Sequence, residues 1–308
     1  MTTQARTIKN HVMAKPLATE QTHAPEIPSL LGFHSGTDLF LKDESAQLGG
    51  SIKGRVAHAM VIESLRLGKP IVESSSGNLA LGLAYWCRRL EASTPLCLID
   101  DCCESPIRKK LIAAGCALEE ISLTPSEQSN QTGVLKRVEL AARYAERGYY
   151  WPNQYGQPAW VEVHARTTGP EIWDCAIPFA LIAAAVGTGA TISGIAASRP
   201  RNRIARIAAI EPQGSGIFSS PTGAYRVAGA GNPFRPGNYW RDLIDDEVAV
   251  DDESTFRARA ILRQSGWKIG SSGAMALVGA LRVATRICTA RSDPILVVIA
   301  DSGWYEHD

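Results

Sequence analysis

The chain alternates short runs of apolar residues with longer stretches in which apolar residues recur every three or four positions. The short runs predict strands at 39–42 ("LFLK"), 70–73 ("PIVE"), 95–99 ("PLCLI"), 117–121 ("ALEEI"), 179–186 ("FALIAAAV"), 206–211 ("RIAAIE") and 294–300 ("PILVVIA"). The longer stretches predict helices over 55–66, 78–91, 105–114, 132–147, 252–265 and 273–287. Alternation of this kind predicts an α/β fold with mostly parallel sheets. Several of the strands are apolar throughout, as strands covered on both faces are. The stretch 151–160, "WPNQYGQPAW", interrupts the alternation as a loop and marks a domain boundary. The expected division is a smaller N-terminal α/β domain over 40–155 and a larger C-terminal one over 156–308, the latter with part of 1–39. Residues 212–240, rich in Gly, Pro and Ser, are expected to form a long ordered loop of the functional kind.

Composition narrows the function classes. The chain has 308 residues, 45% of them hydrophobic, enough to bury a large core in one or two domains. A formal net charge of +1 and the lack of a long basic run argue against a nucleic-acid or membrane-surface role. No apolar run reaches membrane-spanning length, and the polar N-terminus has no signal-peptide core. The seven cysteines are odd in number and form no C-x-x-C pair, so reduced thiols in a cytoplasmic protein are expected, with no metal site.

Four Gly/Ser clusters punctuate the elements: "GGSIKGR" (49–55), "ESSSGNLALGLA" (73–84), "VGTGATISGI" (186–195) and "IGSSGAMAL" (269–277). In open α/β sheets, ligands bind at the carboxyl ends of strands, where such turns sit. Helix N-termini there offer unpaired N–H groups and the positive end of a dipole to an anion. "GTGAT" suits a phosphate cradle, with glycines for close backbone approach and threonine hydroxyls as added donors. It is neither a P-loop nor a G-x-G-x-x-G fingerprint. Lys53 stands among glycines, which suits a lysine that carries a bulky group. Asp43 and Glu44 are expected as a structural pair at a strand end, and His164 as a structural histidine.

Taken in order, these motifs resemble the fold type II pyridoxal-phosphate enzymes, specifically the cysteine synthase/cystathionine β-synthase group. The resemblance runs from "LFLKDES" to "VVIADSG". It implies two three-layer αβα domains, pyridoxal 5'-phosphate as cofactor, small amino acids as substrates and a homodimer. "GSIKGR" matches the segment that makes Lys53 the Schiff-base lysine. "SSSGNL" matches the loop in which Asn78 meets the cofactor ring hydroxyl and Ser75, Ser76, Gly77 and Leu79 meet the substrate carboxylate. "GTGAT" assigns Gly187, Thr188, Gly189, Ala190 and Thr191 to the cofactor phosphate, and "GSSGA" sets Ser271 at the pyridine nitrogen. "NQYGQPAWVEVHARTTGPEIW" matches the block that brings Gln154 and Tyr155 to the substrate.

A neutral hydroxyl such as Ser271 at the ring nitrogen does not force protonation. The implied chemistry is therefore β-elimination or β-replacement through an aminoacrylate, with Lys53 moving the α-proton. Three departures stand out: Gln47-Leu48 replaces Asn-Pro, Leu79 replaces threonine, and Tyr155 replaces phenylalanine. With "ES-x-SGNL" and "NQY" together, the chain is similar to siderophore-pathway synthases that join O-phospho-L-serine to L-glutamate. Their product, N-(2-amino-2-carboxyethyl)-L-glutamate, is a precursor of 2,3-diaminopropionate. Arg226 falls where phosphoserine-using relatives place a phosphate-binding arginine. Cysteine synthase proper, a β-eliminating lyase and a silent regulatory homologue are the alternatives.

Overall fold

A computed structural model of the chain describes residues 16, 18–19, 21–33, 38–124, 130–220, 223–287, 293–304 and 306. Strands β1 to β9 are Gln21–His23, Asp38–Asp43, Val72–Ser74, Leu96–Asp100, Ala117–Ile121, Leu181–Ala185, Arg206–Pro212, Asp246–Val250 and Pro294–Ile299. Helices α1 to α10 are Ile27–Leu30, Lys53–Leu67, Asn78–Arg89, Ser105–Ala114, Asn130–Glu146, Pro158–Arg166, Thr168–Trp173, Ala190–Ala197, Asp252–Gln264 and Ser271–Ile287. The chain divides into two compact units. The smaller is built on Ala46–Gln154, and the larger on Ala18–Ser45 with Tyr155–Asp308.

In the smaller unit the described strands form a parallel sheet in the order β3-β4-β5. Residues 149–151 extend its edge. Tyr150 bridges Ile71 in parallel, and its carbonyl accepts the Val72 N–H at 3.0 Å. Val72 and Leu98 pack with Ala141 of α5 on one face.

In the larger unit the described strands form one sheet in the order β1-β2-β9-β6-β7-β8. Only the β1–β2 pair is antiparallel among them. Its core joins Leu39, Leu41, Leu181, Ala183, Ile210, Ile295 and Val297 to α10. That helix is buried nearly all round ("SSGAMALVGAL"), as a helix apolar on every side must be.

The sequence expectations for the strands at 39–42, 95–99, 117–121 and 294–300 match observed elements closely. One placement is corrected. The strand at 39–42 was assigned to the domain 40–155, but β2 pairs in register with β9, Phe40 opposite Leu296, and so belongs to the larger unit. Its apolar side chains are completed by the larger core. Asp43 and Glu44 do not pair with each other. Asp43 accepts the Ser45 N–H at 2.8 Å, while Glu44 accepts the Thr19 hydroxyl at 2.7 Å. The loop expected over 151–160 ends early because Pro158 opens α6, where its missing N–H costs nothing. Strands β1 and β8, "QTH" and "DEVAV", are not among the expected elements, and β1 has no apolar residue to mark it. Cys87, Cys97, Cys102, Cys103, Cys116 and Cys175 are free thiols; Cys288 lies outside the described residues. Among the described residues no helix is long and apolar enough to cross a membrane.

Candidate active site

In the smaller unit, Lys53 is the first residue of α2 and Asn78 the first of α3. The two helices cross at glycine. A Cβ on Gly82 would stand 2.9 Å from the Ala57 Cβ, and a Cβ on Gly54 would run into the Leu48 carbonyl. The Trp86 indole N–H donates to the Gly54 carbonyl at 2.8 Å and fixes the crossing. The expectation that the glycines around Lys53 make room for a ligand is thus corrected at Gly54, whose flank is filled by the chain's own backbone. The close crossing brings the openings of both helices, and hence Lys53 and Asn78, onto one framework. A second lysine nearby in sequence, Lys42, is fully committed in the larger unit. Its Nζ donates to the Thr19 carbonyl at 2.6 Å, the Thr19 hydroxyl at 2.8 Å and Glu171 at 2.6 Å. Three donors are all that an ammonium has.

The 75–78 turn joins β3 to α3. The Ser75 hydroxyl accepts the Ala80 N–H at 3.1 Å and caps the first turn of the helix. Among the described residues no acceptor is found for the N–H groups of Ser76 and Gly77, and apart from its neighbours along the chain nothing lies within 4 Å of where a Gly77 Cβ would be. Open room and bare donors at a helix N-terminus suit a carboxylate. Leu79 is buried, so its side chain serves the core. Gln154 is drawn to this turn, its Nε2 donating to the Ser74 carbonyl at 2.6 Å.

In the larger unit the 187–191 turn joins β6 to α8. Gly189 has φ of +85°, and a Cβ there would stand 2.6 Å from the Tyr239 backbone, so only glycine fits. Among the described residues no acceptor is found for the N–H groups of Gly187, Thr188 and Gly189, nor a partner for the Thr188 hydroxyl. Consecutive bare N–H groups leading into a helix make an anion nest. Ala190 opens α8. The Thr191 hydroxyl lies 3.3 Å from His164 Nε2, and His164 Nδ1 lies 2.9 Å from the Thr168 hydroxyl.

The segment 228–232 ties this turn to Ser271. Asn232 Nδ2 donates to the Gly187 carbonyl at 2.7 Å, and the Gly231 N–H to the Val186 carbonyl at 2.8 Å. Three residues before Gly231, the Ala228 N–H donates to the Ser271 hydroxyl at 3.0 Å. One lone pair of that fully buried oxygen is thereby used, and its own proton is left to give. Asn232 was not anticipated from sequence, although it follows a "GAG" turn inside a loop expected to be functional.

Arg226 and Tyr155 are placed differently from the others. The Arg226 guanidinium is largely exposed, lies 3.4 Å from the Asp252 carboxylate and stacks over the Phe256 ring at 4.7 Å. The same carboxylate accepts the Arg226 N–H at 3.0 Å. This arginine meets the carboxylate through Nε alone, and the rest of its guanidinium faces outward. The Tyr155 ring packs edge-on against Phe234, centroids 5.5 Å apart.

Residues 18–301 match the family model described as "Pyridoxal-phosphate dependent enzyme". The chain is 30% identical over 279 residues to a cysteine synthase of Staphylococcus aureus strain Mu50, covering 87% of each chain. Its fold resembles a hydrogen sulfide-producing enzyme from Fusobacterium nucleatum (TM-score 0.77, 23% identity, 97% of this chain and 96% of that one). It also resembles an O-acetylserine dependent cystathionine beta-synthase from Helicobacter pylori (TM-score 0.79, 22% identity, 98% and 96% covered). The α/β architecture and the family match agree, and the chain belongs to the pyridoxal-phosphate dependent enzymes.

Proposed function

We propose that this enzyme replaces the β-substituent of an O-activated L-serine, with O-acetyl-L-serine and sulfide as the leading pair of substrates. The observation that carries the reading is the 228–232 segment, which ties a nest of bare N–H groups and a proton-giving serine hydroxyl together in one unit. The residues present fit pyridoxal phosphate on two counts. The nest at 187–189 keeps its donors, and Ser271 offers an O–H, which an unprotonated ring nitrogen accepts. When bound, that cofactor supplies an electron sink for the substrate α-carbon.

Gly187, Thr188, Gly189, Ala190 and Thr191 would hold its phosphate, Asn78 its ring hydroxyl and Ser271 its nitrogen. Lys53 would hold it covalently through Nζ and then take the α-proton at the same atom. Ser75, Ser76 and Gly77 would receive the substrate carboxylate with Gln154, through the donors of the α3 N-terminus. A serine at the ring nitrogen leaves the sink weak and favours prompt departure of a β-substituent over transamination. Sulfide leads as nucleophile because the relative at 30% identity is a cysteine synthase.

The second reading is O-phospho-L-serine with an amine such as L-glutamate, giving a 2,3-diaminopropionate-type product. The apolar Leu79, where cysteine synthases carry threonine, supports it. Mass spectrometry of products from O-acetyl-L-serine or O-phospho-L-serine, each with sulfide and with L-glutamate, tests both. Cysteine from acetylserine and sulfide is expected. Pyruvate and ammonia as the sole products would make the chain a lyase and overturn replacement.

A further inference from the structure

Glu73 has no exposed surface, yet it places a carboxyl group in the middle of β3, two residues before the 75–78 turn. Its oxygens are occupied by N–H donors. The Ser74 N–H donates at 2.9 Å, the Gln154 N–H at 3.1 Å and the Trp151 indole N–H at 3.4 Å. Gln154 returns the contact through Nε2 on the Ser74 carbonyl, 2.6 Å away. Asn153, with φ of +51°, turns the chain so that the next N–H points inward. Residues 73–74 and the stretch 151–154 are therefore stitched at several points by one buried carboxyl group and one amide.

Such a group is costly. A carboxylate removed from water and met by neutral donors alone loses hydration that those donors only partly replace. Burial pushes the Glu73 carboxyl up to about 8, against the pull of those N–H groups. An apolar residue would serve the core of the sheet better, so the cost points to a geometric task.

We propose that Glu73 is a positioning residue for the substrate carboxylate, fixing the 75–78 turn and Gln154 in one register. The inference rests on the functional reading above, in which those residues receive that carboxylate. Glu73 itself touches no reacting atom, because its oxygens are taken up by the chain.

The test uses the cofactor-loaded enzyme and two unreactive probes followed by cofactor absorbance. L-Alanine carries an α-amine and α-carboxylate without a leaving group, and ethylamine carries the amine alone. Measured above pH 8, where Glu73 is ionised, Glu73→Gln keeps the volume but sets an NH2 group against N–H donors. Its Kd for L-alanine is expected to rise at least tenfold, with the Kd for ethylamine and the spectrum without probe unchanged. Trp151→Phe removes one donor and is expected to give a smaller rise, about threefold. It carries the test if Glu73→Gln does not fold. A wild-type Kd for L-alanine, or a parallel loss for both probes, overturns the positioning role. A wild-type protein with no visible absorption after cofactor addition overturns the functional reading, and the Glu73 role falls with it.

Discussion

The Glu306 carboxylate accepts the Ser271 N–H with both oxygens, at 2.8 and 3.0 Å, and so fixes the residue that opens α10. An anion at the N-terminus of a 17-residue helix is favourably placed against the helix dipole. Arg259 lies 3.4 Å from the same carboxylate, with both side chains nearly buried. Glu306→Ala leaves the buried Ser271 N–H without that acceptor, and a loss of about 1–3 kcal/mol is expected. Thermal unfolding checks this, and the cofactor spectrum is expected to shift with it as Ser271 loosens. An unchanged melting temperature would show that the contact contributes nothing.

Lys42 and Lys53 separate cleanly. Borohydride reduction of the loaded enzyme followed by peptide mapping is expected to place the cofactor on Lys53. Lys42→Met withdraws the cation from Glu171 and Glu44 and is expected to cost about 3–5 kcal/mol, as breaking a buried pair does. Lys53→Ala is expected to abolish turnover with little loss of stability. An adduct on Lys42 would reverse the assignment.

Ser271→Asp replaces a proton-giving hydroxyl with an anion at the Ala228 N–H, close to Glu306. Release of acetate from O-acetyl-L-serine is expected to slow at least tenfold, which is about 1.4 kcal/mol in barrier height. Cofactor content measured after alkaline release is expected to stay within twofold of wild type. Wild-type rates in this variant would place Ser271 away from the chemistry.

The resemblance implies that Arg226 binds a leaving phosphate; its guanidinium lies beside Asp252 and Phe256 and is largely exposed. Arg226→Ala is therefore expected to change kcat/KM less than about threefold for both O-acetyl-L-serine and O-phospho-L-serine. The stability change stays within about 1 kcal/mol, the scale of an exposed pair. A selective tenfold loss with phosphoserine would restore the phosphate role.

Glu73 gives stability a pH dependence of unusual sign. Burial pushes its carboxyl up to about 8. An unfolded glutamate titrates near about 4.3. Between these values the folded chain holds a proton that the unfolded chain has lost, so stability falls as pH rises and levels off above the folded value. The titratable groups facing it are Cys97 on β4 and Tyr150 beside β3. The Cys116 thiol and burial push Cys97 up, and burial pushes Tyr150 up, so both stay neutral over that interval. Glu73→Gln is expected to remove a slope of up to about 1.4 kcal/mol per pH unit. Urea unfolding at several pH values reads it, and identical slopes in both proteins would refute the assignment.

Much of this was legible in the residues. The apolar runs at β4, β6 and β9 declared buried strands, and the four Gly/Ser clusters marked turns that open helices. Two kinds of information were not local. The sheet to which β2 belongs depends on its pairing with β9, about 250 residues away, which no window of sequence contains. The work of Glu73, Asn232 and Glu306 lies in contacts with distant backbone groups, and their own surroundings in sequence are ordinary. A charged residue closing the apolar run "PIVE" was the one local hint of the first.

The crossing of α2 and α3 also sets which mutational routes are open. At Gly82 the obstacle to a methyl group is another methyl, the Ala57 Cβ, so Gly82→Ala has a compensating partner in Ala57→Gly. At Gly54 the obstacle is the Leu48 carbonyl, which every residue type shares. No second substitution can shrink a backbone. The two glycines, alike in sequence, therefore differ in epistasis: one tolerates change along a paired path, and the other is closed to every single and double step through its neighbours.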